Sequence, residues 1–263
     1  MNISYILLTM FREPTYNPEK RNPLKREHLK EGITPIMACV GTPEQFMKEP
    51  SGELDIQDDY IFDMDKVQNV DFGAYPDVLD KNGFKNDGKH SYVISPVDNK
   101  DKFSKGFVNC TGLLVAGKDK NTGEDVSLLS HENPGHFLNG EKSEEIFSGD
   151  IRNRLNELKE RCIDGTIDAI IVGGNYFKGN EGENFWEKYQ DDYFRSVGAL
   201  SKEVLNVFNF EPIVITGPKR GTGIENVFYD NKNRRLYIMR PEVGNGSTES
   251  FVPSDIGEQE KKW

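Results

Sequence analysis

The spacing of apolar positions divides the chain near residue 90, and beyond that point the pattern is regular. Tyr92–Ser95 is a short strand candidate, and Gly112–Ala116 is an apolar run that begins just after Cys110. Gly117–Glu124 supplies turn residues, and Val126–Leu129 is a second short run that delivers His131 at its end. Strand, polar turn and strand predict a hairpin. Downstream, Ile151, Leu155, Leu158 and Cys162 recur at helical spacing, with Ser148 as the predicted cap and Gly165 as the stop. Ile167–Val172 has the continuous apolar character of a buried strand and ends in Gly173-Gly174. A second helix is predicted over Phe185–Phe208, its stripe made by Trp186, Tyr189, Tyr193, Val197, Leu200, Val204 and Phe208, with Gly198 as a weak point. Pro212–Thr216 reads as a strand followed by a Gly-rich turn, and Glu225–Tyr229 and Arg235–Met239 as a hairpin about Asp230–Arg234.

The first part of the chain is irregular. Ile3–Met10 and Ile33–Val40 are strand candidates separated by the basic polar stretch Asn17–Lys30. Prolines at 14, 18, 23, 35, 43 and 50 exclude a long helix, and residues 51–66 are acidic. The expected organisation is an extension over 1–85 packed on a main domain over 86–243, with a polar tail over 244–263. Two helical periods among short strands give an α/β chain of the α+β type.

Composition narrows the function classes. The 263 residues are 35% hydrophobic and 29% charged, enough for a core without metal or disulfide staples. A net charge of −11 and the lack of any long Lys/Arg run repel a phosphate backbone at long range, so nucleic acid is not an expected partner. Cys39, Cys110 and Cys162 are odd in number and widely spaced, which argues for a reducing compartment rather than a disulfide framework or thiolate zinc site. No apolar stretch approaches the ~18 residues of a membrane span, and the N-terminus lacks the basic region of a cleavable signal. A cytoplasmic protein is expected, the alternative being an effector exported without such a signal.

Chemistry concentrates at Cys110 and His131. A thiolate nucleophile needs a base nearby, and imidazole is the usual one. The hairpin folds His131 back towards Cys110, and the small or polar Asn109, Thr111 and Gly112 leave backbone N–H groups at Asn109, Cys110 and Thr111 to line an oxyanion hole. His136 competes with His131 for the base role. The two histidines lack a carboxylate–His spacing that would complete a metal site, and the Gly173-Gly174 and Gly217–Gly223 turns lack phosphate-loop spacing. No metal or cofactor is expected. The bland alternative for Cys110 is a small core residue.

Three blocks resemble the CheD chemoreceptor glutamine deamidases and, more loosely, the cytotoxic necrotizing factor and Burkholderia lethal factor toxins. The first is Asn109-Cys110-Thr111-Gly112-Leu113-Leu114-Val115-Ala116 with Val126-Ser127-Leu128-Leu129-Ser130-His131. The second is Ala169-Ile170-Ile171-Val172-Gly173-Gly174. The third is the order of helix, Glu211-Pro212-Ile213-Val214-Ile215, Gly-rich turn and hairpin over Val227–Ile238. The likeness covers roughly 91–240. Asn109 stands where the family prefers Gly or Ser, and the turn from Gly217 to Gly223 departs from the usual Gly-Gly form. The resemblance implies a central β-sandwich or mixed sheet flanked by helices and a cysteine-dependent deamidation of glutamine in a protein, with Cys110 as nucleophile, His131 as base and Ser104, six residues before the cysteine, orienting the imidazole. Peptide cleavage or transglutamination by the same pair, and a non-catalytic binding domain on the same fold, remain the rival readings.

Overall fold

The computed structural model describes residues 26–41, 66–70, 92–107, 110–134, 143–173, 184–216 and 225–239. Within them lie ten strands: β1 (Met37–Gly41), β2 (Val67–Asn69), β3 (Tyr92–Ile94), β4 (Asp101–Phe107), β5 (Thr111–Lys118), β6 (Asp125–Glu132), β7 (Asp168–Gly173), β8 (Ile213–Thr216), β9 (Glu225–Asp230) and β10 (Arg235–Met239). Two helices, α1 (Ser143–Arg161) and α2 (Asn184–Phe208), complete the described elements. The strands form two five-stranded mixed sheets. Sheet A has the order β1-β10-β9-β4-β2, and sheet B has the order β3-β6-β5-β7-β8.

The alternation of side chains along each strand explains how these layers stack. The even-numbered residues Leu114 and Ala116 of β5 face sheet A, with Leu129, Ile170, Val172, Ile213 and Ile215 from the same face of sheet B. They meet Val227, Tyr229, Leu236 and Ile238 from sheet A to form a sandwich core. The odd-numbered Leu113 and Val115 face the other way. There they pack with Phe147, Ile151, Leu155 and Leu158 of α1 and with Tyr193, Val197, Leu200 and Val204 of α2. The layers therefore run sheet, sheet, helices, and sheet B is apolar on both faces. Among the described residues no helix is long and apolar enough to cross a membrane.

The β5–β6 hairpin, the β9–β10 hairpin and both helices follow the apolar pattern. The start of the first helix does not. Ser148 sits inside α1, which begins at Ser143. Glu144 and Glu145 in the first turn favour that earlier start, because carboxylates stabilise the positive end of the helix dipole. The first apolar run of the chain, Ile3–Met10, lies outside the described residues, as do the 85/86 boundary and the 244–263 tail. The second run contributes β1, an edge strand beside β10. Its approach is anchored to sheet B, where the Asp168 carboxylate accepts from Ile36 N at 2.8 Å and from Arg26 Nε at 2.9 Å. Residues 37–41 and 67–69 thus supply the outer strands of sheet A in the described order.

Gly112 marks a close approach in sheet B. A Cβ placed there would lie 2.5 Å from the Ser130 carbonyl oxygen and 2.9 Å from the Phe107 ring. Gly112→Ala is expected to cost about 1–3 kcal/mol, the usual range for overpacking. Gly198 in α2 has no atom within 4 Å of an added Cβ. Gly198→Ala should instead stabilise by up to about 1 kcal/mol through helix propensity. Urea unfolding of the two variants beside the wild type measures both shifts, and equal signs would contradict this packing.

Candidate functional site

Four strands of sheet B meet at one end. Thr111 opens β5 directly opposite Glu132 at the end of β6 and beside Gly173 at the end of β7, and Gly173 in turn pairs with Thr216 at the end of β8. Cys110 immediately precedes Thr111. It is buried, at 5% exposure, and packs in the sandwich core with Phe107, Leu114 and Leu129. The β5–β6 register places Gly112 opposite His131, so His131 shares the inner face with Cys110 and stands one diagonal step away. Diagonal neighbours across an antiparallel pair have centres about 7–8 Å apart, within reach of a long or aromatic side chain. The sulfur and the imidazole therefore lie on one face at one end of the sheet.

Sheet A supplies the partner of the imidazole. Ser104 of β4 projects into the sandwich and places its Oγ 2.9 Å from His131 Nδ1. The same hydroxyl donates to the Val70 carbonyl at 2.5 Å. A hydroxyl has one proton to give, so towards His131 it can only accept. Nδ1 must then carry the ring proton, and the lone pair of the neutral imidazole is left on Nε2. Burial pulls the imidazole down to about 3, with the Val70 carbonyl pulling weakly the other way. His131 is therefore neutral at physiological pH, with Nε2 unprotonated.

Phe107 finishes the inner face. A register shift between Ser104 and Phe107 in the β4–β9 ladder forms a bulge at Gly106, whose φ is +82°. Asn226 Oδ1 accepts from Gly106 N at 2.9 Å there, replacing a ladder partner. The bulge re-aims Phe107 so that its ring stacks on His131, with centroids 4.0 Å apart and planes 12° from parallel. Gly112 and Gly173 leave the space it fills, since a Cβ at Gly173 would lie 2.7 Å from the same ring. Phe107 was not singled out by sequence, because a bulge cannot be read from a run of mixed polarity.

The outer face of the same strand ends carries a second polar group that sequence reading also missed. Glu132 is fully buried and accepts from Thr111 Oγ1 at 3.1 Å. Thr111 Oγ1 also bonds the Ser196 hydroxyl of α2. Burial pushes the Glu132 carboxyl up to about 8 against the opposing hydroxyls of Ser130 and Thr111. A glutamate closing a strand reads as a solvated end, and only the helix layer above it reveals otherwise.

The remaining sequence candidates divide plainly. Asn109 and His136 lie outside the described residues. Thr111 has its side chain on the helix side, away from Cys110. Cys39 and Cys162 are buried thiols without a disulfide. Burial, reinforced by Asp119, raises Cys162 to about 12, far from thiolate chemistry at neutral pH. No group of three or more His, Cys, Asp or Glu among the described residues is placed to hold a metal ion.

The two shifted groups give stability opposite pH slopes. Unfolded, His131 binds its proton below about 6.5, whereas folded it does so only below about 3. Between those values the unfolded chain holds the extra proton, so stability is lost as pH falls. Glu132 holds its proton in the folded state up to about 8 against an ordinary value of 4.5, so from 4.5 to 8 stability is lost as pH rises. Each slope is about 1.4 kcal/mol per pH unit, and the two cancel where they overlap, between about 4.5 and 6.5. Glu132→Gln is expected to remove the alkaline decline and leave the acid one. Urea unfolding of both proteins from pH 5 to 8.5 checks this, and an equally steep decline in the variant would assign the slope to another group.

No protein-family model matches the chain, and no curated protein sequence matches it.

Proposed function

We propose that this protein is a thiol amidohydrolase that converts an exposed glutamine of a protein substrate to glutamate, in the manner of the CheD-like deamidases. The observation that carries this reading is the placement of Cys110 and His131 on one face of sheet B with His131 Nδ1 bonded to Ser104. The stack of two sheets with helices on one side supports the CheD-like architecture as well.

In the proposed reaction the Cys110 proton passes to His131 Nε2 as the sulfur attacks the side-chain amide carbon. Because burial keeps the imidazole neutral, the resting pair is thiol and imidazole rather than a preformed ion pair. Backbone N–H groups at Asn109, Cys110 and Thr111 steady the oxyanion. The tetrahedral intermediate collapses, the C–N bond breaks, and His131 returns the proton so that ammonia leaves. Water, deprotonated by His131, then attacks the thioester, releasing glutamate and restoring the thiol. No cofactor or metal takes part. A reduced compartment such as the cytoplasm, of the producing cell or of a host reached by export, keeps the thiol available.

The burial of Cys110 favours a second reading, a binding domain that keeps the fold without the chemistry. Two measurements separate them. Cys110→Ala should retain a native near-ultraviolet spectrum and lose ammonia release from casein, with the wild-type product gaining about one dalton per glutamine, as replacement of an amide by an acid requires. Iodoacetamide should label Cys110 faster than Cys39 or Cys162 near neutral pH. Equal labelling of the three thiols, or unchanged ammonia release in the variant, ends the deamidase reading.

A further inference from the structure

We propose that Glu132 is a positioning residue for Cys110, acting through Thr111 from the helix side of sheet B. The proposal rests on the thiol reading above. The alternation of a strand gives each of two consecutive residues to opposite faces. Cys110 and His131 take the sandwich face. Their neighbours Thr111 and Glu132, which are Cα partners across the β5–β6 ladder, take the face under α2. There the Thr111 hydroxyl is held between the Glu132 carboxyl and the Ser196 hydroxyl, and all three residues are fully buried. Leu113 N donates to Ser130 Oγ at 2.9 Å on the same face, so the backbone just beyond Cys110 is tied by side chains on both neighbouring elements.

This arrangement is costly as a purely structural device. A buried carboxyl without a cation partner is tolerated only when neutral and hydrogen-bonded, and an apolar residue of similar size serves packing as well or better. Its neighbours supply hydroxyls, from Ser130 and Thr111, and Glu132 Oε2 has no hydrogen-bond partner among the described residues. What the group does achieve is geometric. It fixes the rotation of Thr111, and with it the peptide that carries the Cys110 side chain and the N–H groups beside it. Ser104 holds the base from sheet A, and Glu132 holds the nucleophile's strand from the opposite layer. Thr111 and Ser196 are the intermediates of this support.

The test reads the thiol itself and needs no identified substrate. Iodoacetamide alkylation of Cys110 in the full chain, followed by peptide mass spectrometry from pH 6 to 9, compares the wild type with Glu132→Leu, Thr111→Val and Glu132→Gln. Loss of the Thr111 tether should shift the sulfur relative to the His131 ring and slow alkylation at pH 7 by about tenfold, since misplacement by about 1 Å can cost a hundredfold in reaction rate. The pH profile should shift towards that of an unassisted thiol. Glutamine retains the Oε1 acceptor, so Glu132→Gln should restore the rate to within about threefold, as an acceptor-only role predicts. Should Glu132→Leu lack a native near-ultraviolet spectrum, Thr111→Val, which preserves volume, carries the test alone. Enhanced wild-type labelling that is unchanged in the natively folded variants overturns this proposal and leaves the deamidase reading standing. Wild-type labelling no faster than at Cys39 or Cys162 removes both.

Discussion

Thr111 lies opposite Glu132, and the arrangement at this end of sheet B depends on that one register. Sheet B is buried on both faces, so neither set of alternating side chains has water to fall back on. A slip of one residue between β5 and β6 would turn the imidazole towards α2 and drive a carboxyl into the apolar sandwich interior. The register is held from outside as well. β7 pairs with the far edge of β5, and Gly112 admits the Ser130 carbonyl and the Phe107 ring only because it has no Cβ. Side-chain identity and strand pairing therefore specify the same alignment from several directions, which is the consistency expected of a sequence with one structure.

Two adjacent titratable residues, His131 and Glu132, occupy opposite faces of one strand and are shifted in opposite senses by the same cause. Burial disfavours whichever form is charged, so it lowers the imidazole and raises the carboxyl. Both are neutral between these limits. Ser104 then does for the histidine what charge cannot: it selects which nitrogen bears the proton, through a hydroxyl whose own proton is committed to Val70. The buried Lys102 and Arg234 follow a different rule. Lys102 is paired with Asp98, and Arg234 with Asp125, so their burial is offset by an opposite charge.

Much of sheet B and its helices was legible because each element carries one clear period. The β5–β6 hairpin was marked by its polar turn, and the helix stripes at Ile151, Leu155 and Leu158 and at Tyr193, Val197, Leu200 and Val204 are the residues that pack on the sheet. Sheet A was harder. β4 reads Asp-Lys-Phe-Ser-Lys-Gly-Phe, and its Lys102 is buried only because Asp98 and the Lys100 carbonyl receive its ammonium. β2 has three residues and no pattern of its own. Ser104 is legible only through the family resemblance, because its strand carries no apolar period. Ser148 misled as a cap, since a serine within a helix and one at its start look alike without the preceding acidic turn. Glu132 and Phe107 were invisible because their roles depend on a helix and a bulge that no local window contains.

The parallel pairing of β1 with β10 sets the order in which the molecule can be assembled. Met37 pairs with Arg235 and Gly41 with Met239, so an edge of sheet A is made from segments at opposite ends of the described chain. During synthesis, β1 emerges long before its neighbour exists, whereas the β5–β6 and β9–β10 hairpins close locally and fast. The helix-backed sheet can form first, and the second sheet is completed only after the last of its strands leaves the ribosome. Until then Ala38 and Ile36 have no sandwich interior to enter, and that segment needs protection from other chains.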